Sequence, residues 1–256
     1  MKSGSSDVNK ADQNSPTFGG TDLKSITQDP IFWYLSNLDF FQDLREESID
    51  SLSAHGKLIH WDRGTEITQD ISTSQVFFIV KGRIEISTYQ MNGKKLINDF
   101  VGEGGVLGWN EPTAGLIYST ESLLAVAFED TEAIVYDRDF FVEMIERRPK
   151  IAISLLRYMG LRQQRIEFRL RSILFKNNLC KVAGLILELG ELYGLRSEGK
   201  VIVDCGLSQE DIGAMVGLPR EEVTRALSQL KHEGYLVLRR RRIEILNHKA
   251  LSDLIE

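Results

Sequence analysis

The stretch from Leu207 to Leu236 constrains the fold more than any other, because it encodes two short helices separated by a tight turn. Ser208 is placed to cap the first helix, and Asp211, three residues later, can bond back to the capping residue. Gly217 offers the permissive backbone that ends this helix, and Pro219 presets the torsion at the start of the next one. The sequence therefore predicts a helix-turn-helix.

The second helix of this stretch is predicted to be amphipathic. Its apolar residues recur at helical spacing and would face the core: Val223, Ala226, Leu227 and Leu230. Its opposite face would be free to contact another molecule and carries Arg220, Glu221, Thr224 and Arg225. A face of this kind is typical either of a DNA-reading helix or of an ordinary solvated surface.

The segment Gly217-Leu-Pro-Arg-Glu-Glu-Val-Thr-Arg225 resembles the recognition helix of the Crp/Fnr superfamily of bacterial transcription regulators. The resemblance implies that Arg220, Glu221 and Arg225 read base edges in the major groove of double-stranded DNA. The chemistry agrees, because arginine donates a forked pair of hydrogen bonds to guanine and glutamate accepts from the cytosine amino group. Similarity to the cyclic-AMP receptor branch further implies half-sites with a GTGA-like core.

Positive charge is concentrated locally rather than spread over the chain. The formal net charge of −6 argues against a protein that coats nucleic acid non-specifically. Four consecutive arginines, Arg239 to Arg242, lie between apolar segments that read as a hairpin with a basic tip. This tip is either a wing that clamps phosphates or an exposed basic loop. We expect DNA-backbone contacts from Ser208, Gln209, Thr224, Lys231, Arg239, Arg240, Arg241 and Arg242.

The length of 256 residues suits two domains. Residues 1–28 are polar and small, which predicts a disordered tail. Between Leu58 and Asp137, short apolar runs alternate with glycines, and Val76 to Ser87 reads as a hairpin turning at Gly82. Such strands suggest a jelly roll, which the resemblance identifies as a cyclic-nucleotide-binding-type β-roll. The expected fold class is α+β: a β-roll sensor domain (29–147), a dimerisation helix (148–176) and a winged helix-turn-helix (177–256).

A long helical pattern runs from Phe140 to about Phe175 and carries a narrow apolar stripe at coiled-coil spacing. The stripe consists of Ala152, Leu156, Met159, Gln163, Ile166, Leu170 and Ile173. A homodimer would align two helix-turn-helix units on two half-sites. A single helix lying across the β-roll is the alternative. The resemblance also implies that Arg196 to Lys200 contacts RNA polymerase.

The residues argue against cyclic AMP as the effector. Family members that bind this nucleotide hold its phosphate with a Gly-Glu pair and an Arg-Ser pair, whereas this chain has Gly108-Trp109 and Glu121-Ser122. Between Gly108 and Asp137 there is no arginine to compensate a desolvated phosphate. The remaining interpretations are an uncharged small molecule enclosed by Trp109, Tyr118 and Phe128, or a protein that is active without an effector.

No cofactor, metal site or catalytic residue is expected. Two cysteines are too few for an iron-sulfur cluster, and no phosphate loop, His-Glu metal motif or nucleophile elbow occurs. No apolar run approaches the roughly 20 residues that span a bilayer, so a cytoplasmic protein is expected. The alternative to a DNA-binding regulator is a ligand-binding regulatory subunit whose helix-turn-helix docks onto another protein.

Overall fold

The computed structural model describes residues 30–42, 44–68, 75–89, 91, 93–108, 122–197 and 199–255. The predicted tail, residues 1–28, lies outside these ranges. Two of the predicted effector-pocket residues, Trp109 and Tyr118, also lie outside them. Among the described ranges, no helix is long and apolar enough to cross a membrane.

The N-terminal half is a β-roll covered on one side by helices. Its helices are α1 (Pro30–Asn37), a 3-10 turn (Asp39–Phe41), α2 (Glu46–Ser53) and, after the strands, α3 (Arg138–Arg147). Its strands are β1 (Lys57–Trp61), β2 (Gln75–Lys81), β3 (Ile84–Tyr89), β4 (Lys95–Val101), β5 (Val106–Leu107), β6 (Ser122–Ala127) and β7 (Thr131–Asp137). They form one sheet in the order β1-β7-β2-β5 and a second in the order β4-β3-β6.

Strand β2 is apolar on both faces because it lies between two cores. Phe77 and Ile79 pack into the space between the two sheets. Val76 and Phe78 pack on the other side against the helices, where Phe41 and Phe141 are fully buried. This double burial explains the unbroken apolar run in the sequence.

The predicted hairpin from Val76 to Ser87 is wrong, because β2 and β3 belong to different sheets. Strand β2 pairs with β7 and β5, whereas β3 pairs with β4 and β6. Gly82 makes the corner between the sheets at φ +80°, and a Cβ there would lie 2.4 Å from the carbonyl oxygen of Asp130. The crowded corner, rather than a free hairpin turn, is what requires glycine.

A 27-residue helix, α4 (Pro149–Phe175), connects the two halves. One face packs on the β-roll through Ile151 and Leu155, which are buried in the helix-covered core. Farther along, Arg162 pairs with Asp99 of β4 at 2.7 Å. Helix α4 therefore does lie across its own β-roll, as the alternative interpretation predicted, but only with one face.

The C-terminal half contains a helix-turn-helix and a four-stranded sheet. The helices are α5 (Asn178–Tyr193), α6 (Gln209–Val216), α7 (Arg220–His232) and α8 (His248–Asp253). The strands are β8 (Gly194–Ser197), β9 (Lys200–Val203), β10 (Leu236–Arg239) and β11 (Arg242–Ile245), in the sheet order β10-β11-β9-β8. Residues 194–197 form β8, an edge strand of this sheet. The predicted α+β architecture is confirmed.

The two halves share a hydrophobic core. Ile97 and Phe100 of β4 pack in the same cluster as the buried residues of α5, α6 and α7. Arg169 of α4 donates to the carbonyl of Asn98 and pairs with Glu188 of α5. The helix-turn-helix is therefore seated against the outside of the β-roll.

Candidate nucleic-acid interface

The two helices of the helix-turn-helix are fixed by local hydrogen bonds. The Ser208 hydroxyl accepts from the backbone N–H of Asp211 at 3.1 Å, and the Asp211 carboxylate accepts from the backbone N–H of Ser208 at 2.8 Å. Gly217 ends α6 in the left-handed region at φ +72°. Pro219 is the N-cap of α7, so the helix begins at Arg220. The predicted cap and turn are confirmed.

Sequence reasoning missed Gly213, which sets how closely the two helices approach. A Cβ at Gly213 would lie 2.5 Å from the carbonyl oxygen of Leu218, inside van der Waals contact. The backbone N–H of Leu218 donates to the carbonyl of Gly213 at 2.9 Å. A glycine in the interior of an otherwise ordinary helix was the available signal, since it is unfavourable there without a packing reason.

Helix α7 buries one side and exposes the other. Val223, Ala226, Leu227 and Leu230 are all buried in the C-terminal core. Arg220, Glu221 and Arg225, which we call the reading face, are exposed, as is Thr224. The burial agrees with the periodicity in the sequence.

Arg220, Thr224 and Arg225 each contact another side chain of the helix-turn-helix. Arg220 lies 3.4 Å from Glu210, and Arg225 pairs with Glu222 one turn earlier. The Thr224 hydroxyl donates to the Gln209 amide oxygen at 2.6 Å. These exposed ion pairs are worth little in water, so base edges could replace the carboxylates at small cost.

The β10–β11 hairpin, which we call the wing, carries the four arginines. Arg239 and Arg242 are paired across the hairpin, and Arg240 and Arg241 form its exposed tip. Arg239 donates to Glu244 at 2.7 Å, and this hydrogen bond lowers the pKa of the Glu244 carboxyl below its ordinary value. Arg241 has φ +58°, an unfavourable backbone for a residue with a Cβ.

The other residues predicted to contact the DNA backbone differ in whether their side chains already have hydrogen-bond partners. The Ser208 hydroxyl is engaged in the capping box, and the Gln209 side chain accepts from Thr224. Lys231 is exposed near the C-terminal end of α7. The exposed cations of this set are therefore Lys231 on α7 and Arg239, Arg240 and Arg241 on the wing.

The apolar stripe predicted from the sequence lies on a face of α4 that is largely exposed in this chain. Leu156, Met159, Ile166 and Leu170 are 69%, 37%, 49% and 53% exposed. Gln163 is exposed as well, whereas Ala152 and Ile173 are half-buried. The stripe is thus distinct from the face that packs on the β-roll.

Phe128 lies at the junction between the two halves rather than inside the β-roll. Its ring meets Phe100 edge-on at 5.0 Å, and the Arg83 guanidinium lies 5.6 Å from its centroid. Arg83 is itself buried, donates to Glu129 at 2.9 Å and to the carbonyl of Cys205 at 3.0 Å. The interpretation of Phe128 as a wall of an effector pocket is therefore wrong: it packs outward, against the C-terminal unit.

The structure also places one cation that the sequence search missed. Arg138 directly follows the interval from Gly108 to Asp137 and donates to the carbonyl of Gly108 at 2.7 Å. Gly108 is the first residue of the pair that the resemblance aligns with a phosphate-binding pair of the family. The two thiols are buried, and burial raises the pKa of Cys205, which disfavours its reactive thiolate.

A β-roll of the sensor type, joined by a long helix to a winged helix-turn-helix with an exposed arginine-rich face, defines a DNA-binding transcription regulator. Residues 58–148 match the family model of the cyclic nucleotide-binding domain, and residues 180–254 match that of the Crp-like helix-turn-helix domain. The chain belongs to the Crp/Fnr superfamily.

Known proteins of this type resemble the chain over most of its length. The CRP-like cAMP-activated global transcriptional regulator of Mycobacterium tuberculosis is 24% identical over 219 residues, which cover 85% of this chain and 96% of the relative. A CooA mutant from Carboxydothermus hydrogenoformans has a similar fold, with a TM-score of 0.65, 16% identity, and coverage of 81% and 90% of the two chains. FixK2 from Bradyrhizobium japonicum gives 0.64 at 23% identity, covering 78% and 98%.

Proposed function

We propose that the chain is a homodimeric regulator that reads a pseudo-palindromic DNA site through Arg220, Glu221 and Arg225. The observation that carries the proposal is the exposed reading face on a helix whose other side is locked into the core. Each residue has a natural partner in the major groove: guanine for the two arginines and cytosine for the glutamate. Half-sites with a GTGA-like core fit this set.

Replacement of Arg225 by Ala tests the reading face. Loss of one base contact in each half-site should weaken binding to the selected site by about 1–3 kcal/mol per half-site and relax preference at one base pair of each. Arg196, exposed on β8 of the same unit, supplies the control, since Arg196→Ala removes the same charge away from α7. If Arg225→Ala bound every half-site variant with the wild-type pattern, the assignment of the reading face would be wrong.

We further propose that the stripe on α4 forms the homodimer and sets the half-site spacing of about one helical turn. Leu156→Asp should produce monomers in analytical ultracentrifugation, because a carboxylate would be buried in the seam. Leu161 is 53% exposed and lies on the opposite side of α4, about 180° around the helix from the stripe. Leu161→Asp is therefore the matched control and should leave the dimer intact; equal behaviour of the two variants would refute the proposed seam.

We propose that the effector is not cyclic AMP but an uncharged small molecule, or that none is needed. The support is the missing arginine between Gly108 and Asp137 and the engagement of Arg138 by a backbone carbonyl. Of the proposed pocket, Trp109 and Tyr118 remain. Selection of sites from random DNA with buffer, cyclic AMP or cell extract tests this. Sites recovered only with cyclic AMP would contradict the proposal, whereas enrichment with extract alone would support an unidentified effector.

The proposal includes a cytoplasmic, non-enzymatic role with RNA polymerase as a partner. The β8–β9 hairpin exposes Leu195, Arg196 and Lys200, which supports a contact there. We also propose the domain division at residues 29–147, 148–176 and 177–256, with residues 1–28 as a tail. The salt dependence of DNA binding distinguishes this proposal from the alternative, a regulatory subunit whose helix-turn-helix docks onto another protein. Binding that falls steeply with added salt supports the DNA-binding regulator, whereas absent or salt-insensitive binding supports the docking subunit.

A further inference from the structure

A groove of about 640 Å³ opens outside the β-roll, between α1, the loop at Gly102–Gly105, helix α4 and the end of α5. Its volume is that of a small-molecule site. Helix α4 contributes Tyr158, Leu161 and Arg165, which lie on a different face from the stripe. The groove is thus separate from the roll interior, from the proposed dimer seam and from the reading face.

Aromatic side chains from several different elements contribute to the walls of the groove. Trp33 and Tyr34 come from α1, Phe100 from β4 and Tyr193 from α5. The Tyr193 hydroxyl donates to the carbonyl of Phe100 at 3.3 Å, and burial raises its pKa above the ordinary value, so the phenol stays neutral. Flat apolar surfaces of this kind suit an aromatic ring.

One cation in the groove is incompletely satisfied. Arg165 lines it, is half-buried, and has a buried Nε without a hydrogen-bond partner among the described residues. A buried donor that has no acceptor is costly, and a charged one is more so. Arg157 adds a second positive charge to the lining, whereas Glu103 at the exposed rim is the acidic residue of the lining. The groove is therefore matched to an anion.

We propose that this groove binds a small organic anion with an aromatic body, its anionic group on the Arg165 guanidinium and its ring between Trp33, Phe100 and Tyr193. Because Tyr193 belongs to the C-terminal unit and Phe100 to the β-roll, such a ligand contacts both halves of the chain. The proposal does not depend on DNA binding or on the nature of any effector inside the roll.

Fluorescence titration of the full chain tests the site with anilinonaphthalene sulfonate, an aromatic anion, and phenylnaphthylamine, its uncharged analogue. Arg165→Gln should raise the Kd of the sulfonate by at least about tenfold, as expected for a lost hydrogen bond to a charged group. It should leave the uncharged analogue unchanged. Arg171, exposed on the same helix and outside the groove, supplies the control: Arg171→Gln should bind the sulfonate like the wild type.

A second variant guards against misfolding of Arg165→Gln. Leu161 is 53% exposed, so the fold should tolerate Leu161→Glu, which places a carboxylate one turn before Arg165. It should pair with the guanidinium and also weaken sulfonate binding at least about tenfold. Equal binding by wild type and both variants, or the same loss in Arg171→Gln, would overturn the proposal.

Competition then identifies the anionic group. Displacement of the sulfonate by naphthyl phosphate or naphthoate supports the site and separates a phosphate ligand from a carboxylate ligand by their relative affinities. Displacement by inorganic phosphate as effective as by either aromatic anion would overturn the role of the aromatic walls.

Discussion

The tip of the wing offers a pair of substitutions that separate backbone strain from DNA binding. Arg241 has φ +58°, while its neighbour Arg240 is not in the left-handed region. Arg241→Gly and Arg240→Gly remove the same charge from the same two-residue turn. Only the first relieves the unfavourable backbone.

The expected change in unfolding free energy is the sum of two opposing contributions. A residue with a Cβ in the left-handed region costs about 1–2 kcal/mol, and a new glycine costs about 0.5–1 kcal/mol in chain entropy. Arg241→Gly should therefore be neutral to stabilising, and Arg240→Gly destabilising. Since the glycine term is common to both, the two variants should differ in unfolding free energy by about 1–2 kcal/mol.

Urea unfolding followed by circular dichroism measures the stability difference, and fluorescence anisotropy over a range of salt concentrations measures DNA binding. If each tip arginine contacts one phosphate, each variant removes two contacts from the dimer and should reduce the magnitude of the slope of log K against log salt by about 1.8. Equal stabilities would refute the strain argument. Wild-type slopes in both variants would refute phosphate contact by the wing, independently of the stability result.

Three further predictions concern the core and the junction. Gly213→Ala should destabilise the chain by about 1–3 kcal/mol, because the new Cβ overpacks against Leu218. Gly160→Ala is the control: nothing lies within 4 Å of a Cβ there, so it should stabilise α4 by about 0.5–1 kcal/mol. The urea unfolding midpoints of the two variants measure the difference. Arg169→Met should cost about 3–5 kcal/mol because Glu188, whose side chain is 7% exposed, is left unpaired, and adding Glu188→Leu should recover most of the loss in the same assay. Burial makes the pKa of the Tyr193 phenol higher in the folded chain than its value of 10.0 in the unfolded chain. The resulting contribution to the unfolding free energy is fully present below pH 10.0 and falls as the pH rises above it. Tyr193→Phe should flatten that decline in unfolding curves recorded at alkaline pH.

The helix-turn-helix was predictable from sequence because its determinants are local. Ser208 and Asp211 lie within one turn of each other, and Gly217 needs only its own backbone freedom. The apolar spacing of α7 likewise fixes which side is buried. The role of Gly213 was not predicted, because glycine is required there by the carbonyl oxygen of Leu218. That oxygen comes close only once the two helices have packed.

The strands were predictable as strands, but their partners were not. An apolar run interrupted by glycine has the same appearance in a hairpin and at a corner between two sheets. Pairing of β2 with β7, more than fifty positions away, is decided by burial of both faces of β2. The same limit applies to Phe128, whose neighbours come from β4 and the C-terminal unit.

The sequence by itself determined the reading face, the wing and the apolar stripe of α4, since each depends on residues within a few turns or across one short hairpin. Only the tertiary structure decided that α4 packs one face on its own β-roll while leaving the stripe open. It also decided that Arg83 and Phe128 lie at the junction of the two halves and that Arg165 faces a groove. These placements depend on contacts between residues far apart in the chain, and local spacing carries no information about them.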